Sequence, residues 1–221
     1  MTIGKIRHQT RRPVGQQTNR RAILKSSNSK MPAGPSDANR LMTAHWITDL
    51  GVPMEIHPRK LHGFDGAFAI LEFAPRGLRT SWRYATNGMS SRIQACPQPG
   101  VHVRTELYGA TRDRAPWVCD LLTALAAYPW DQQTWLSEGD TIELQESPTS
   151  RNCPFAGIML VAPGAIDPPE IGLAGDSEPI LIHQLAGLLP AELQQAKGGS
   201  GARLEARHFF LDTNGEPTAL T

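Results

Sequence analysis

No stretch of this 221-residue chain holds the roughly 18 or more consecutive apolar residues that a membrane-spanning helix requires. The longest apolar stretches, Ala67–Phe73 and Phe155–Pro163, have the length of strands. Cysteine is scarce: Cys96, Cys119 and Cys153 are odd in number and widely spaced, which excludes a disulfide framework and any CxxC zinc or redox motif. Such thiols read as buried or idle groups in a reducing cytoplasm, and Cys119, inside an apolar helical run, reads as core. Catalytic signatures are missing as well. There is no HExxH, no GxSxG, no phosphate-binding Walker loop and no GxGxxG. His57 and His62 stand five apart, a spacing with no special meaning, and His183 lies in an apolar strand as a hydrogen-bonded core residue. Gly198–Gly201 follows a helix instead of opening one, so it terminates a helix and does not cradle phosphate. The expectation is a protein that is not an enzyme, with no cofactor and no metal site.

Acidic residues are absent from the first 36 positions, which carry Lys5, Arg7, Arg11, Arg12, Arg20, Arg21, Lys25 and Lys30. Apolar residues there are few and aperiodic, so residues 1–36 are expected to form a disordered basic tail. The Arg pairs at 11–12 and 20–21 resemble a twin-arginine signal, yet no apolar region follows; Lys25 breaks Ala22-Ile23-Leu24 at once. A transit peptide, a nucleic-acid-binding arm and an early start codon, with Met31 as the true start, remain open. No aromatic residue interleaves the charges, which disfavours nucleic acid. The other 185 residues hold 14 basic side chains against 21 acids, about −7 in formal charge. That acidic body favours a basic partner.

With 40% hydrophobic residues the body at 37–221 can build one packed domain. Ser36 and Asp37 cap a helix to Leu50 on a stripe of Leu41, Ala44, Ile47 and Leu50, widened by Met42 and Trp46 and stopped by Gly51 and Pro53. Strands are expected at 54–57, 67–74 and 79–86, the last followed by a sharp Asn87-Gly88 turn. A strand at 101–108 precedes a helix at 113–128 closed by Pro129. Further strands fall at 141–144, 155–162 and 180–185. Pro190 opens a short helix to Lys197, and 202–211 reads as helical. Residues 164–179 form a loop with Asp167, Glu170, Asp176 and Glu178, without the alternating Asp/Asn spacing of an EF-hand. Strands and helices mix without regular alternation. That order gives an α/β (α+β) fold, a mixed sheet flanked by helices, and not a doubly wound one.

The segment Tyr84-Ala85-Thr86-Asn87-Gly88-Met89-Ser90-Ser91 resembles the T-x-G-M-S signature of Suppressor-of-fused (SUFU) domains. In order after it come Glu106-Leu107-Tyr108, resembling the family's E-L strand, and Trp117 with Leu121–Leu125 and Tyr128-Pro129, resembling its helix ending in YP. Leu136 with Gly139-Asp140-Thr141-Ile142, Phe155–Val161 and Pro190-Ala191-Glu192-Leu193 continue the match, which covers about residues 80–197 with the 37–50 helix upstream. Asn87 stands where a small residue such as Ser is usual, and the basic tail has no counterpart. The resemblance implies a SUFU-like fold and a protein-binding role. Larger animal relatives restrain Gli transcription factors in Hedgehog signalling, gripping a short peptide as an added strand, and carry a second domain for which this chain is too short. Bacterial single-domain relatives imply a cytoplasmic immunity protein that neutralises a polymorphic toxin. The partner would then be another protein, such as a basic toxin domain. The alternatives are a regulatory binder of another cytoplasmic protein or a hydrolase whose acid/base pair is not recognised. Candidate binding residues are Tyr84, Thr86, Asn87, Gly88, Met89 and Ser90 at the turn, with Asp167 and Glu170 in the acidic loop.

Overall fold

The computed structural model describes residues 3–7, 37–61, 66–96, 102–144, 155–164, 170–172, 179–197 and 209–212. Among the described residues nine strands make one mixed sheet: β1 (Ile3–Arg7), β2 (Glu55–Arg59), β3 (Phe68–Phe73), β4 (Trp82–Asn87), β5 (Arg104–Thr111), β6 (Thr141–Leu144), β7 (Gly157–Val161), β8 (Glu170–Ile171) and β9 (Ile180–Leu188). The spatial order is β1-β6-β7-β9-β5-β4-β3-β2, with β8 paired to the start of β9. One block, β2 to β5, is an antiparallel meander. A second antiparallel block is β1-β6-β7-β9. The two join where β5 and β9 run parallel, from Arg104 opposite Ile180 to Tyr108 opposite Gln184. The expected α+β architecture is therefore the observed one.

Side-chain alternation along the strands builds a core on each face. Helix α1 (Asp37–Leu50) covers Leu71, Phe73, Ala85, Tyr108, Ile180 and Ile182. Helix α2 (Trp117–Asp131) covers the residues of opposite parity, including Ile70, Tyr84, Leu107, Ile158, Leu160 and Leu185. Helix α3 (Pro190–Lys197) packs Leu193 against Met159 and Leu188 on the α1 side.

Several expectations shift in physically instructive ways. The buried stripe of α1 is Ala38, Met42, Trp46 and Leu50, whereas Ala44 and Ile47 of the anticipated stripe are exposed. Burying Met42 and Leu50 contributes roughly 1.5–3 kcal/mol each, and the i, i+4, i+8 set wins the sheet because Trp46 also donates its Nε1–H to the Thr86 carbonyl at 3.0 Å. Pro129 lies inside α2, which continues to Asp131 through bonds from Gln132 N–H to Tyr128 and from Thr134 N–H to Pro129. A proline costs a helix its own N–H, but not the carbonyls that later residues use. The 164–179 segment contains strand β8, so it is not loop throughout. Phe210 bridges Ala110 and Leu211 is in a turn, so the anticipated 202–211 helix does not reach its end; residues 202–208 lie outside the described residues. Ile3–Arg7 is a strand on the β6 edge, so the tail does not begin at residue 1; residues 8–36 lie outside the described residues. Backbone pairing with an open sheet edge needs no apolar periodicity, which is why hydropathy missed it.

Candidate protein-binding groove

The T-x-G-M-S segment forms the end of β4, a tight turn and a 3-10 helix (Met89–Ser91). All of it is tied to one buried carboxylate. Glu106 on β5 accepts bonds from Thr86 Oγ1 at 2.5 Å, Gly88 N at 3.0 Å, Ser90 N at 2.9 Å and Ser90 Oγ at 2.6 Å. Burial pushes the Glu106 carboxyl above the ordinary range, although each of these donors pulls it down. Thr86 also takes the place of a backbone acceptor, its Oγ1 receiving the Leu107 N–H at 2.7 Å, and so β4 parts from β5 at this point. Gly88 has φ 114°, and a Cβ there would collide with the Ala67 carbonyl oxygen.

Beside this turn a groove of about 720 Å³ opens between α1 and the β2–β3 edge. Thr43, Ala44 and Ile47 form one wall, Pro58, Phe68 and Ala69 the other, and Asn87 closes one end. Arg40 and Arg59 supply its charged residues. Asn39 Nδ2 donates to the Ala67 carbonyl at 2.9 Å and fixes α1 to the start of β3. Thr43 Oγ1 spends its proton on the Asn39 carbonyl at 2.8 Å, so it accepts from Asn87 Nδ2 at 2.9 Å. That chain settles the amide orientation and leaves Asn87 Oδ1 buried without a donor. The connection to β2, and β2 itself, add exposed Val52, Met54 and Ile56 along the same edge.

Of the described candidate residues, Asn87 alone lines the groove. Thr86, Gly88, Met89 and Ser90 are buried behind it. Tyr84 is buried on the α2 face, where its hydroxyl accepts the Ala115 N–H at 2.7 Å and burial raises its pKa to about 12. Glu170 is exposed on β8, away from the groove lining, and Asp167 lies outside the described residues. The groove residues Asn39, Thr43 and Ile47 were missed because they come from a helix read only for its buried face. The misfit of Ile47 with the Met42–Trp46–Leu50 spacing was the available signal.

Among the described residues, one cluster gathers three or more groups of metal-ligand type: His57 on β2, Glu72 on β3 and Cys119 on α2. Glu72 is fully buried and accepts from His57 Nε2 at 2.8 Å and Arg114 Nε at 2.5 Å. Burial alone would raise its pKa, but Arg114 and His57 outweigh that and hold it below the ordinary value. Burial lifts the Cys119 thiol to about 12, so it stays protonated and is no nucleophile at neutral pH. His183 is buried in the core as expected, with burial lowering its pKa to about 4, so it is neutral.

A mixed-sheet α+β domain with an apolar groove beside a carboxylate-anchored turn is the class of protein that fold and site define. The sequence pattern of the family described as Suppressor of fused protein (SUFU) matches residues 66–218, and the chain belongs to that family. The structure is similar to that of Drosophila Suppressor of Fused, with a TM-score of 0.57 at 15% identity, over 84% of this chain and 51% of the Drosophila one. The chain thus spans about half the length of that relative. It is also similar to a SUFU homolog from Neisseria gonorrhoeae FA 1090, with a TM-score of 0.52 at 12% identity, over 84% of this chain and 99% of the other. At such identities the two structures share the fold. No curated protein sequence matches.

Proposed function

We propose that this chain is a non-enzymatic, cytoplasmic protein-binding module of the immunity type, which neutralises a toxin domain by gripping one of its segments in the α1–β2–β3 groove. The groove carries this reading: a preformed apolar concavity with one polar atom, Asn87 Oδ1, lacking a donor that a partner's N–H would supply. Asn87 makes the contact, while Thr86, Gly88, Met89, Ser90 and Tyr84 hold it in place from behind. Membership of a family of protein-interaction modules supports the role. No described helix is long and apolar enough to cross a membrane. Strand addition at β2 is disfavoured, because Pro58 removes an amide from that edge. The groove's own charges are basic, so attraction of a basic toxin comes from the acid excess of the body, with Asp167 and Glu170 among its contributors.

The test is capture of partners from the source cell by the full chain and by an Ile47→Glu variant, with mass spectrometry. Ile47 is exposed, so the variant keeps its fold. A toxin-domain partner held by the natural chain should be lost, with at least about tenfold weaker binding, in the variant. A partner held equally by both moves the binding face elsewhere. A partner that is no toxin sinks the immunity role in favour of a regulatory binder.

A further inference from the structure

Three side chains remote in sequence, His57, Glu72 and Cys119, bring an imidazole nitrogen, a carboxylate oxygen and Sγ within 4.8 Å of one another. They lie on the α2 side of the sheet, and the groove does not use them. We propose that His57 Nε2, Glu72 Oε2 and Cys119 Sγ form a three-ligand site for a borderline divalent cation, zinc, with the fourth position open toward solvent.

The donor set fits the ion. One imidazole, one carboxylate and one thiolate are all ordinary zinc ligands, and three protein ligands leave one coordination position free. Ligand atoms around a tetrahedral zinc lie roughly 3.3–3.8 Å apart, as bond lengths of about 2.0–2.3 Å require. The 2.8 Å His57–Glu72 contact therefore has to open by less than about 1 Å to admit the ion. Both of these ligands already have the outer partners that metal sites use to orient them. Arg114 Nε holds Glu72 Oε1 at 2.5 Å, and the same guanidinium reaches Oε2 through Nη2 at 3.3 Å, a longer contact that the ion would share or displace. Glu55 Oε1 lies 3.7 Å from His57 Nδ1, and it is itself anchored by Arg114 Nη2 at 2.6 Å. A carboxylate near the second ring nitrogen suits the tautomer with its proton on Nδ1, which the ion would impose by replacing the present Nε2–Glu72 hydrogen bond.

Burial and charge agree with this arrangement. Glu72 is fully buried, Cys119 is 1% exposed, and the His57 side chain is 17% exposed, so the histidine stands at the mouth of an otherwise dry site. The imidazole keeps one proton, moved to Nδ1. The thiol loses its proton to solvent as the sulfur–metal bond forms. With Glu55, Glu72 and the Cys119 thiolate against Arg114 and a divalent ion, the charges cancel.

Cobalt(II) is the spectroscopic probe, added to chelator-stripped full-length protein. Expected is saturation at one ion per chain, a thiolate-to-cobalt charge-transfer band with tetrahedral visible bands, release of about one proton per ion, and displacement by zinc. The band should vanish in Cys119→Ser and persist in a Cys96→Ser, Cys153→Ser double variant. Glu55→Gln, which touches no metal, should weaken binding about 10–100-fold. Because Cys119 is core, His57→Ala at the sheet edge is the second arm: native circular dichroism with the band lost supports the site. A natural chain without a thiolate band, a band that survives Cys119→Ser, or His57→Ala binding with undiminished affinity overturns it.

Discussion

At the scale of single residues, the signature turn is explained by one carboxylate. Thr86, Gly88 and Ser90 keep their places because hydroxyls and amides at those positions reach Glu106, and the intervening Asn87 is freed to face the groove. The positions that look most like a binding motif are thus mainly its scaffold. Gly88 is the most demanding of them, combining φ 114° with backbone contact at Ala67. Gly88→Val should lower stability by at least about 1–3 kcal/mol, read as a lower urea midpoint. An unchanged midpoint would show that the turn relaxes at no cost.

At the scale of elements, α1 serves two surfaces. Its Met42–Trp46–Leu50 side is committed to the sheet, and its Asn39–Thr43–Ile47 side walls the groove. A helix whose apolar residues are spread around its circumference gives an ambiguous periodicity, and the indole bond to Thr86 is what settles the rotation. The opposite sheet edge depends on β1, whose Ile3, Ile6 and Arg7 pair with Leu144, Ile142 and Thr141. A chain beginning at Ser36 should therefore lose on the order of 1–3 kcal/mol, since each net hydrogen bond contributes about 1 kcal/mol. Thermal melts should fall by about 2–4 °C per kcal/mol for a chain of this size. Equal melting temperatures would show that β6 tolerates an open edge.

At the scale of the whole molecule, charge is distributed unevenly. Eight basic residues and no acid lie in the first 36 positions, while the remainder carries about −7. Steering by that excess acts on the association rate, and the apolar groove acts on dissociation. Association with a captured partner, measured with Arg11, Arg12, Arg20, Arg21, Lys25 and Lys30 replaced by Gln so that β1 keeps its tether, should slow steeply between about 50 and 500 mM salt, as the Debye length falls from roughly 14 to 4 Å. A flat response would remove steering and leave the groove alone as the source of affinity.

What the sequence determined by itself is what local chemistry enforces. The α1 bounds of 37–50, the 141–144 strand, the Asn87-Gly88 turn and the Pro190 helix start depend on caps, β-branching and backbone restrictions, which act within a few residues. The ordered matches from Tyr84 to Leu193 carried the family for the same reason, since each is a short element with its own punctuation. Only the tertiary structure decided which side of α1 is buried, that β5 and β9 run parallel, and that Thr86 and Ser90 meet Glu106. It alone assembled the groove from α1, β2, β3 and the end of β4, and the His57–Glu72–Cys119 cluster from β2, β3 and α2. Those contacts join residues tens of positions apart, and no spacing along a chain encodes a distance that exists only after the sheet has closed.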